Sequence, residues 1–345
     1  MNDLELYIFS NDNLEIVYVT KFNDYKIELD EETNAKSEFI ISCNRNIEIK
    51  KGYFLVINGL YKQFNFVIDD VIKNKKSNKI KLIALDISNI FNRKVIEKKT
   101  EIMENKSLEE FIKETILDNF VNGDILDNIK YLEINCKTKT MKSQDTSADK
   151  GIYNLHTFII NCRQAKNIDI KYTITKNKLI LDIEKINSNK ILIDCTTSEV
   201  IDYKKTYDSD PVSKVTVYCP TDKSEYNLYL LNDRTTTTDE NNLNRAKGKT
   251  EVIAEENKEK VEEKALEIIM KNRYKHLVEF KIKKNSKLID TTELEIGTKI
   301  KIKTDESIYD SYISAIILTD NNFITYKSGN IRINLLEKLK QGSEK

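Results

Sequence analysis

The sequence predicts an α+β protein that is mostly β, with strand-rich regions on either side of a small helical unit. Two patterns carry that expectation. Runs of β-branched and aromatic residues recur about every 8–12 residues before position 100 and return after position 198, which suggests a barrel or sandwich and not a parallel α/β sheet. Between these regions the apolar spacing switches from period two to helical at Ser107. The 345 residues leave room for roughly two to four domains.

Along the chain, Glu15–Val19 and Tyr25–Leu29 read as the first strands. Glu38–Cys43, Ile47–Ile49, Gly52–Asn58, Phe64–Ile68 and Lys79–Ala84 follow, with a polar turn over 73–79. Ser107-Leu108-Glu109-Glu110 carries the capping-box spacing, with Glu three residues after the Ser. Leu108, Phe111, Ile112, Thr115 and Ile116 then share one helical face, and Asn122-Gly123 stops the helix. A second short helix is expected from Tyr153 to Ala165, with Leu155, Phe158, Ile159 and Cys162 on one side. Ile168, Ile170, Tyr172 and Ile174 alternate up to a turn at Lys176-Asn177, and Leu179, Leu181 and Ile183 return, the pattern of a hairpin.

Strands resume at Val200-Ile201, Val215–Tyr218 and Tyr226–Leu231. The segment 232–250 has four consecutive threonines and almost no apolar residues, so it reads as an exposed loop. Residues 255–274 give the strongest helix signal, with Val261, Ala265, Ile268 and Ile269 as its stripe. Val278–Ile282 is a strand. Leu294–Ile302, Tyr312–Leu318 and Phe323–Tyr326 read as a separate small barrel, and Leu335–Lys340 as a short tail helix. The expected division is 1–100, 101–197, 198–284 and 285–345.

Composition excludes several classes. The 56 basic residues balance 56 acidic ones, which argues against a dedicated nucleic-acid binder. The longest apolar run is Tyr53–Ile57, too short for a membrane span. The acidic start Met1–Glu5 has no apolar stretch of signal-peptide length, so Sec export is not expected. Only seven basic residues are Arg (45, 93, 163, 234, 245, 273 and 332), and Trp is absent. With Ile and Asn abundant, this reads as AT-rich coding.

Chemistry leaves little trace. Cys43, Cys136, Cys162, Cys195 and Cys219 form no CxxC pair and read as reduced, small hydrophobes. The two histidines, His156 and His276, are too far apart in sequence to suggest a metal motif, and His156 lies on an apolar helix. No nucleophile elbow, zincin, phosphate-loop, dinucleotide or EF-hand pattern occurs. Acid pairs at Asp30–Glu32, Asp69-Asp70, Glu255-Glu256 and Glu262-Glu263 fall on turns or solvated faces, as expected by chance. The lysine runs at 73–81 and 281–287 lack nearby aromatics for base stacking and read as solvated surface. No catalytic residue, cofactor site or metal site is therefore expected.

One pattern extends over about 10–335. Glu38–Cys43, Ile49–Gly59 and Phe66–Val71 are followed by Ile80–Ile87, Phe91–Ile96 and the helix from Ser107. Then come the 168–183 hairpin, Val215–Val217, the polar loop, a helix around Ala265, and Leu294-x-Ile296-Gly297-x-x-Ile300-x-Ile302. The order resembles that of tailed-phage tail and baseplate hub proteins, also found in phage-derived contractile injection particles. The resemblance implies two tail-tube-like β-barrel domains, 1–100 and 198–284, an interposed α+β domain, 101–197, and a small C-terminal β-barrel with a tail, 285–345. It implies a homotrimeric ring adapting a six-fold tail tube to a three-fold tip or spike. Its partners would be a tail tube or distal tail protein above and a tip, spike or tape-measure protein below. DNA would pass through the lumen without sequence-specific binding. The implied location is the virion tail or a phage-like particle, assembled in the bacterial cytoplasm. Alternatives are a hub of a bacteriocin particle, a carbohydrate- or cell-surface-binding module of the tail tip, and a cell-wall-acting enzyme. The hydrolase carried by many relatives is not carried over.

Overall fold

The computed structural model describes residues 5–31, 33–42, 47–58, 62–73, 78–93, 100–101, 106–122, 128–140, 147–148, 155–166, 168–186, 191–207, 211–232, 235–271, 274 and 276–329. Cys43, the middle of the 73–79 turn, Lys94–Ile96, Gly123 and the expected tail helix 335–340 lie outside the described residues. The chain divides into two units. The first holds Met1–Ser188, Lys283–Thr298 and Ile316–Ile324, and the second holds Asn189–Ile282, Lys299–Ala315 and Thr325–Lys345.

The first unit begins with six antiparallel strands: β1 (Glu5–Phe9), β2 (Ile16–Asp30), β3 (Ser37–Ser42), β4 (Phe54–Asn58), β5 (Phe64–Lys73) and β6 (Lys79–Asp86). Their order is β1-β4-β5-β6-β3-β2, and β1 pairs with β2 as well as β4. The six pairings therefore close on themselves. Closure depends on β2. Glu15–Val19 and Tyr25–Leu29 read as two strands, but they are the two halves of one 15-residue strand. Its first half pairs with β1, and its second half pairs with β3 beyond a bulge at Phe22/Asp24. The stretch between the two runs, Lys21–Asp24, is where this one strand changes neighbour.

Both faces of this sheet are covered, so β4 departs from strict alternation and Phe54, Leu55, Val56 and Ile57 are all buried. One face sets Leu6 against Ile57, Ile8 against Leu55, Leu55 against Phe66 and Phe39 against Leu82. The other face, with Phe9, Phe54, Val56 and Val67, joins a core shared with the helices that follow. Ile47–Ile49 read as a strand but forms no ladder, although Ile49 is buried.

A 3-10 segment, Ile87–Arg93, leaves the sheet and inserts Ile87, Ile90 and Phe91 into that second core. After the two-residue β7 (Thr100–Glu101) comes α1 (Leu108–Ile116). The expected capping box is formed: Glu110 N–H donates to Ser107 Oγ at 3.2 Å, and Ser107 N–H donates to Glu110 Oε2 at 3.1 Å. The predicted stripe of Leu108, Phe111, Ile112, Thr115 and Ile116 is buried. β8 (Leu132–Cys136) precedes β9 (Ser147–Ala148), which pairs with β7, and α2 (Leu155–Lys166) follows. β10 (Ile168–Ile174) and β11 (Leu179–Lys185) form the expected hairpin, closed by Thr175 N–H to Lys178 O at 2.9 Å. β8 adds to β11 in parallel, a pairing the sequence did not reveal.

In the second unit β12 (Ile191–Asp194) and β13 (Val200–Tyr207) precede β14 (Val212–Cys219), β15 (Ser224–Leu230), β16 (Thr236–Thr237) and β17 (Lys249–Ala254). Helix α3 (Val261–Lys271) is followed by β18 (His276–Lys283), β19 (Lys299–Lys303), β20 (Ile308–Thr319) and β21 (Phe323–Gly329); residues 308–315 and 325–329 belong to this unit. One sheet has the order β16-β15-β14-β17, and Val261, Ala265 and Ile269 of α3 pack on Val215, Val217, Leu228 and Leu230. Along the other, β20-β21-β18-β13 are neighbours, with β19 on β20 and β12 on β19. The strands expected of a C-terminal barrel thus share a sheet with β18 and β13. Helix α3 starts later than position 255 because Glu255 N–H still donates to Tyr218 O, extending the β17 ladder.

Glu109 is an acid on the buried side of α1, with no exposed surface. Its carboxylate accepts from Thr138 Oγ1 (2.6 Å), Thr140 N–H (2.7 Å) and Thr140 Oγ1 (2.8 Å), tying α1 to the strand end after β8. Burial alone would raise its pKa, but these donors outweigh it and hold it below the ordinary value. The stabilisation is therefore present above the unfolded-state pKa and is lost as pH falls through the lower folded value. Glu109→Ala leaves three donors unpaired, and urea unfolding at neutral pH should show a loss of about 2–3 kcal/mol.

Candidate functional site

Two places carry chemistry beyond packing: a charged cleft in the first unit and the open strand edges of the second. The cleft, about 290 Å³, lies among β5, the 3-10 segment, α2, β10 and the 295–296 turn. Its floor is an ion pair. Arg163 Nε donates to Asp169 Oδ1 at 2.8 Å, and the Ile170 N–H donates to the same oxygen at 2.8 Å. Only 8% of the Arg163 side chain is exposed. Burial opposes its charge, but Asp169 and Asp86 more than offset this and hold it protonated. Burial likewise pushes Asp169 up, opposed by Arg163 and the Ile170 N–H. At the rim Lys62 meets Glu295 at 3.1 Å, and Lys171 meets Glu184 at 2.7 Å. Gly297, with φ +86°, makes the turn behind it; a Cβ there would come within 2.9 Å of Ile186 Cδ1.

The same cleft ties α2 and the hairpin to the six-strand sheet by side-chain hydrogen bonds. Asn65 Nδ2 donates to Tyr172 O at 2.8 Å, and Ile174 N–H donates to Gln63 Oε1 at 3.0 Å. His156 Nε2 lies 2.6 Å from Thr33 Oγ1 and 3.3 Å from Ser88 Oγ. Burial lowers the His156 pKa from 6.5 to about 4. His276 is in the second unit, where Nε2 lies 3.0 Å from Ser311 Oγ. Each histidine thus meets a hydroxyl in a core.

The other residues singled out by the sequence are scattered. Cys162, Cys195 and Cys219 are buried and Cys136 is half-buried, all as free thiols; burial pushes Cys195 up to about 12. Asp69 is paired with Lys36 (2.9 Å) and Lys51 (2.8 Å). Asp70 accepts from the Val71 N–H, and Glu255 from the Asn257 N–H. Among the described residues no group of three or more His, Cys, Asp or Glu is placed to hold a metal ion, and no helix is long and apolar enough to cross a membrane. In the lysine run 281–287, Lys284 departs from the solvated reading: its amine donates to Tyr25 OH (3.1 Å) and Thr319 O (2.6 Å), and burial lowers its pKa.

The described part of the polar loop, 232 and 235–250, is held by its own hydrogen bonds. Asn232 N–H donates to Asn244 O and Ala246 N–H to Leu230 O, both at 2.8 Å. Asp239 and Asn242 accept from Asn241 and Asn244 N–H groups in Asx turns. Arg245 stacks on Tyr229 at 4.7 Å. Leu243, 99% exposed, stands at its tip. Gly248 closes the loop, where any Cβ would sit 2.0 Å from Pro211 O. Its neighbour Lys249 donates to that carbonyl at 2.8 Å and starts β17. Among the described residues, β17 pairs with β14 alone and β13 with β18 alone, so each has one edge without a described partner. Val252 and Ile201 on these strands are 66% and 44% exposed.

This architecture defines a fold class, that of phage and prophage tail proteins. The prophage tail protein gp18 from Listeria monocytogenes EGD-e superposes with a TM-score of 0.58 at 11% identity, covering 100% of both chains. The 43 kDa tail protein of prophage MuSo2 from Shewanella oneidensis gives 0.56 at 12% identity, over 95% of this chain and 98% of that one. A tail protein from Neisseria meningitidis MC58 gives 0.51 at 10%, over 95% and 97%. No protein-family model and no curated protein matches the sequence. The resemblance seen in the order of sequence elements is therefore met at the level of fold.

Two outcomes test the cleft. Because the folded pKa of His156 lies below the unfolded one, its contribution is complete above pH 6.5 and declines as pH falls toward about 4, by about 3 kcal/mol. His156→Gln should flatten the stability–pH curve in that window; parallel curves for the two proteins would reject the assignment. Arg163→Met strands a buried carboxylate and should cost about 3–5 kcal/mol, while adding Asp169→Leu should recover much of the loss.

Proposed function

We propose that this chain is a structural hub at the distal end of a phage or phage-like tail. Three copies form a ring that adapts a six-fold tail tube to a three-fold tip or spike. The observation that carries the reading is the sheet in which β1 pairs with both β2 and β4, within a fold matched over the whole chain by tail proteins. A closed sheet with both faces buried suits a rigid ring segment, and a heterologous contact repeated three times closes such a ring. The strand-rich regions 1–100 and 198–284 take the tube-like roles, 101–197 is the interposed α+β domain, and 285–345 is the small C-terminal domain with its tail. In this reading the chain is not an enzyme and carries no cofactor. Its neighbours are a tube or distal tail protein above and a tip, spike or tape-measure protein below, with DNA passing through an open lumen. It resides in the virion tail or a phage-like particle, after assembly in the bacterial cytoplasm.

Negative-stain class averages and mass photometry of the purified chain test this directly. The expected result is three-fold rings with an open centre and the mass of three 40.2 kDa chains. Compact single-chain particles at every concentration, with no ring on adding the tail-tube protein, would overturn it and favour a surface-binding module.

A further inference from the structure

We propose that the cleft of the first unit binds one neutral saccharide unit, whose hydroxyls bridge Arg163 and Asp86 and reach Tyr172 and Asn65. The site stands apart from the ring reading and does not depend on it. It rests on polar groups that the packing leaves without a partner. Arg163 lines the cleft with 8% of its side chain exposed, and it uses only its Nε–H, on Asp169 at 2.8 Å. Its two Nη groups have no acceptor among the described residues. Asp86 also lines the cleft, and its Oδ1 accepts from the Ser88 N–H at 2.9 Å and from the Ser88 hydroxyl. Asp86 Oδ2 has no donor among the described residues. Asp86 is near enough to help hold the Arg163 charge, yet no ion pair joins the two.

Two further lining residues each add an orphan: Tyr172 OH and Asn65 Oδ1 are buried with no hydrogen-bond partner. Buried polar atoms in a native fold are nearly always bonded, so a group of this kind around one cleft calls for a ligand that supplies what is missing. Tyr172 stays a donor, because burial, Asp86 and Asp169 hold its pKa well above the ordinary value.

The chemistry of the set selects the class. Arg163 Nη and Tyr172 OH are donors, and Asp86 Oδ2 and Asn65 Oδ1 are acceptors. A hydroxyl donates and accepts at one oxygen, and a sugar ring carries several. An amide splits the two roles between atoms that point in opposite directions, so one amide serves fewer of these groups. Charge favours a neutral occupant. Lys62 pairs with Glu295 at 3.1 Å, Lys171 with Glu184 at 2.7 Å and Arg163 with Asp169, and an ionic ligand would unbalance these pairs. Volume favours a single ring, since about 290 Å³ sits at the lower end of ligand pockets, roughly 300 Å³. Phe64, Ile87, Ile170 and Ile296 supply apolar wall for the C–H faces of such a ring.

Calorimetric titration of the full chain with glucose and N-acetylglucosamine tests the cleft, with glucuronate, glucosamine and N-acetylglutamine amide as controls. The expected result is saturable, millimolar binding of a neutral sugar and no tighter binding of any control. Tyr172→Phe removes an orphan hydroxyl and keeps the ring, so the unliganded melting temperature should hold or rise while sugar affinity falls about tenfold. Asp86→Asn keeps an oxygen for Ser88 but replaces the free acceptor with a donor, and should weaken the sugar by about tenfold or more. Tyr172→Phe decides the matter if Asp86→Asn fails to fold. A flat titration with both sugars up to about 100 mM, far above a millimolar Kd, leaves water as the only occupant and overturns the proposal. Tighter binding of a control assigns the cleft to an ion or a peptide and overturns it as well. Sugar binding that neither variant weakens lies elsewhere on the chain, with the same consequence.

Discussion

The short strand β1 is the constraint on which the first unit depends. Its five residues are hydrogen-bonded to β2 on one side and to β4 on the other, so it turns a row of six strands into a closed circuit. Closure removes edges, and with them the need for edge protection. It also fixes which residues face inward. Once Leu6 and Ile8 point into the ring against Ile57 and Leu55, the period of two forces Tyr7 and Phe9 outward. That outward face is apolar enough to require cover, and α1, α2 and the 168–185 hairpin provide it.

What fixes the cover in place is polar as well as greasy. A purely apolar interface tolerates sliding; the seam through His156, Asn65, Gln63 and the Arg163–Asp169 pair does not, since its hydrogen bonds join particular atoms at set distances. Buried charge is an inefficient source of stability because desolvation cancels most of the attraction. Its consequence here is geometric. A seated guanidinium orients Asp169 at the start of β10, and Gln63 receives the N–H at the end of the same strand, so both ends of β10 are registered against the sheet.

Much of this was legible in the sequence, for reasons tied to particular residues. The capping box at Ser107–Glu110 and the hairpin about Lys176-Asn177 are local signals, and both formed as read. The order of elements also pointed to the tail-protein fold that the superpositions share. What stayed hidden was non-local. β2 looked like two strands because the sequence cannot show that its halves serve different neighbours. The parallel β8–β11 and β14–β17 pairings join segments far apart in the chain. The partners of Arg163 and Lys284 were invisible for the same reason: a basic residue reads as solvated until the fold brings a carboxylate or a carbonyl to it. The 232–250 segment is largely exposed where it is described, as its composition signals, while the Asx turns that order it depend on spacing within the loop.

The six-strand circuit of the first unit and the β13 and β17 edges of the second treat strand edges in opposite ways, and the contrast follows from sequence. In the first unit β1, β4 and β5 are dominated by apolar residues on both faces, which is affordable only where no edge is left open to aggregation. In the second, β13 and β17 carry Asp202, Lys204, Lys205, Lys249 and Glu251 beside single exposed aliphatics. Charges on an open edge suppress indiscriminate strand addition, because an arbitrary strand leaves them mismatched. Mixed signs in a fixed order do more than a uniform lysine edge, which repels every basic partner alike. They leave the edge available to a strand with the complementary order.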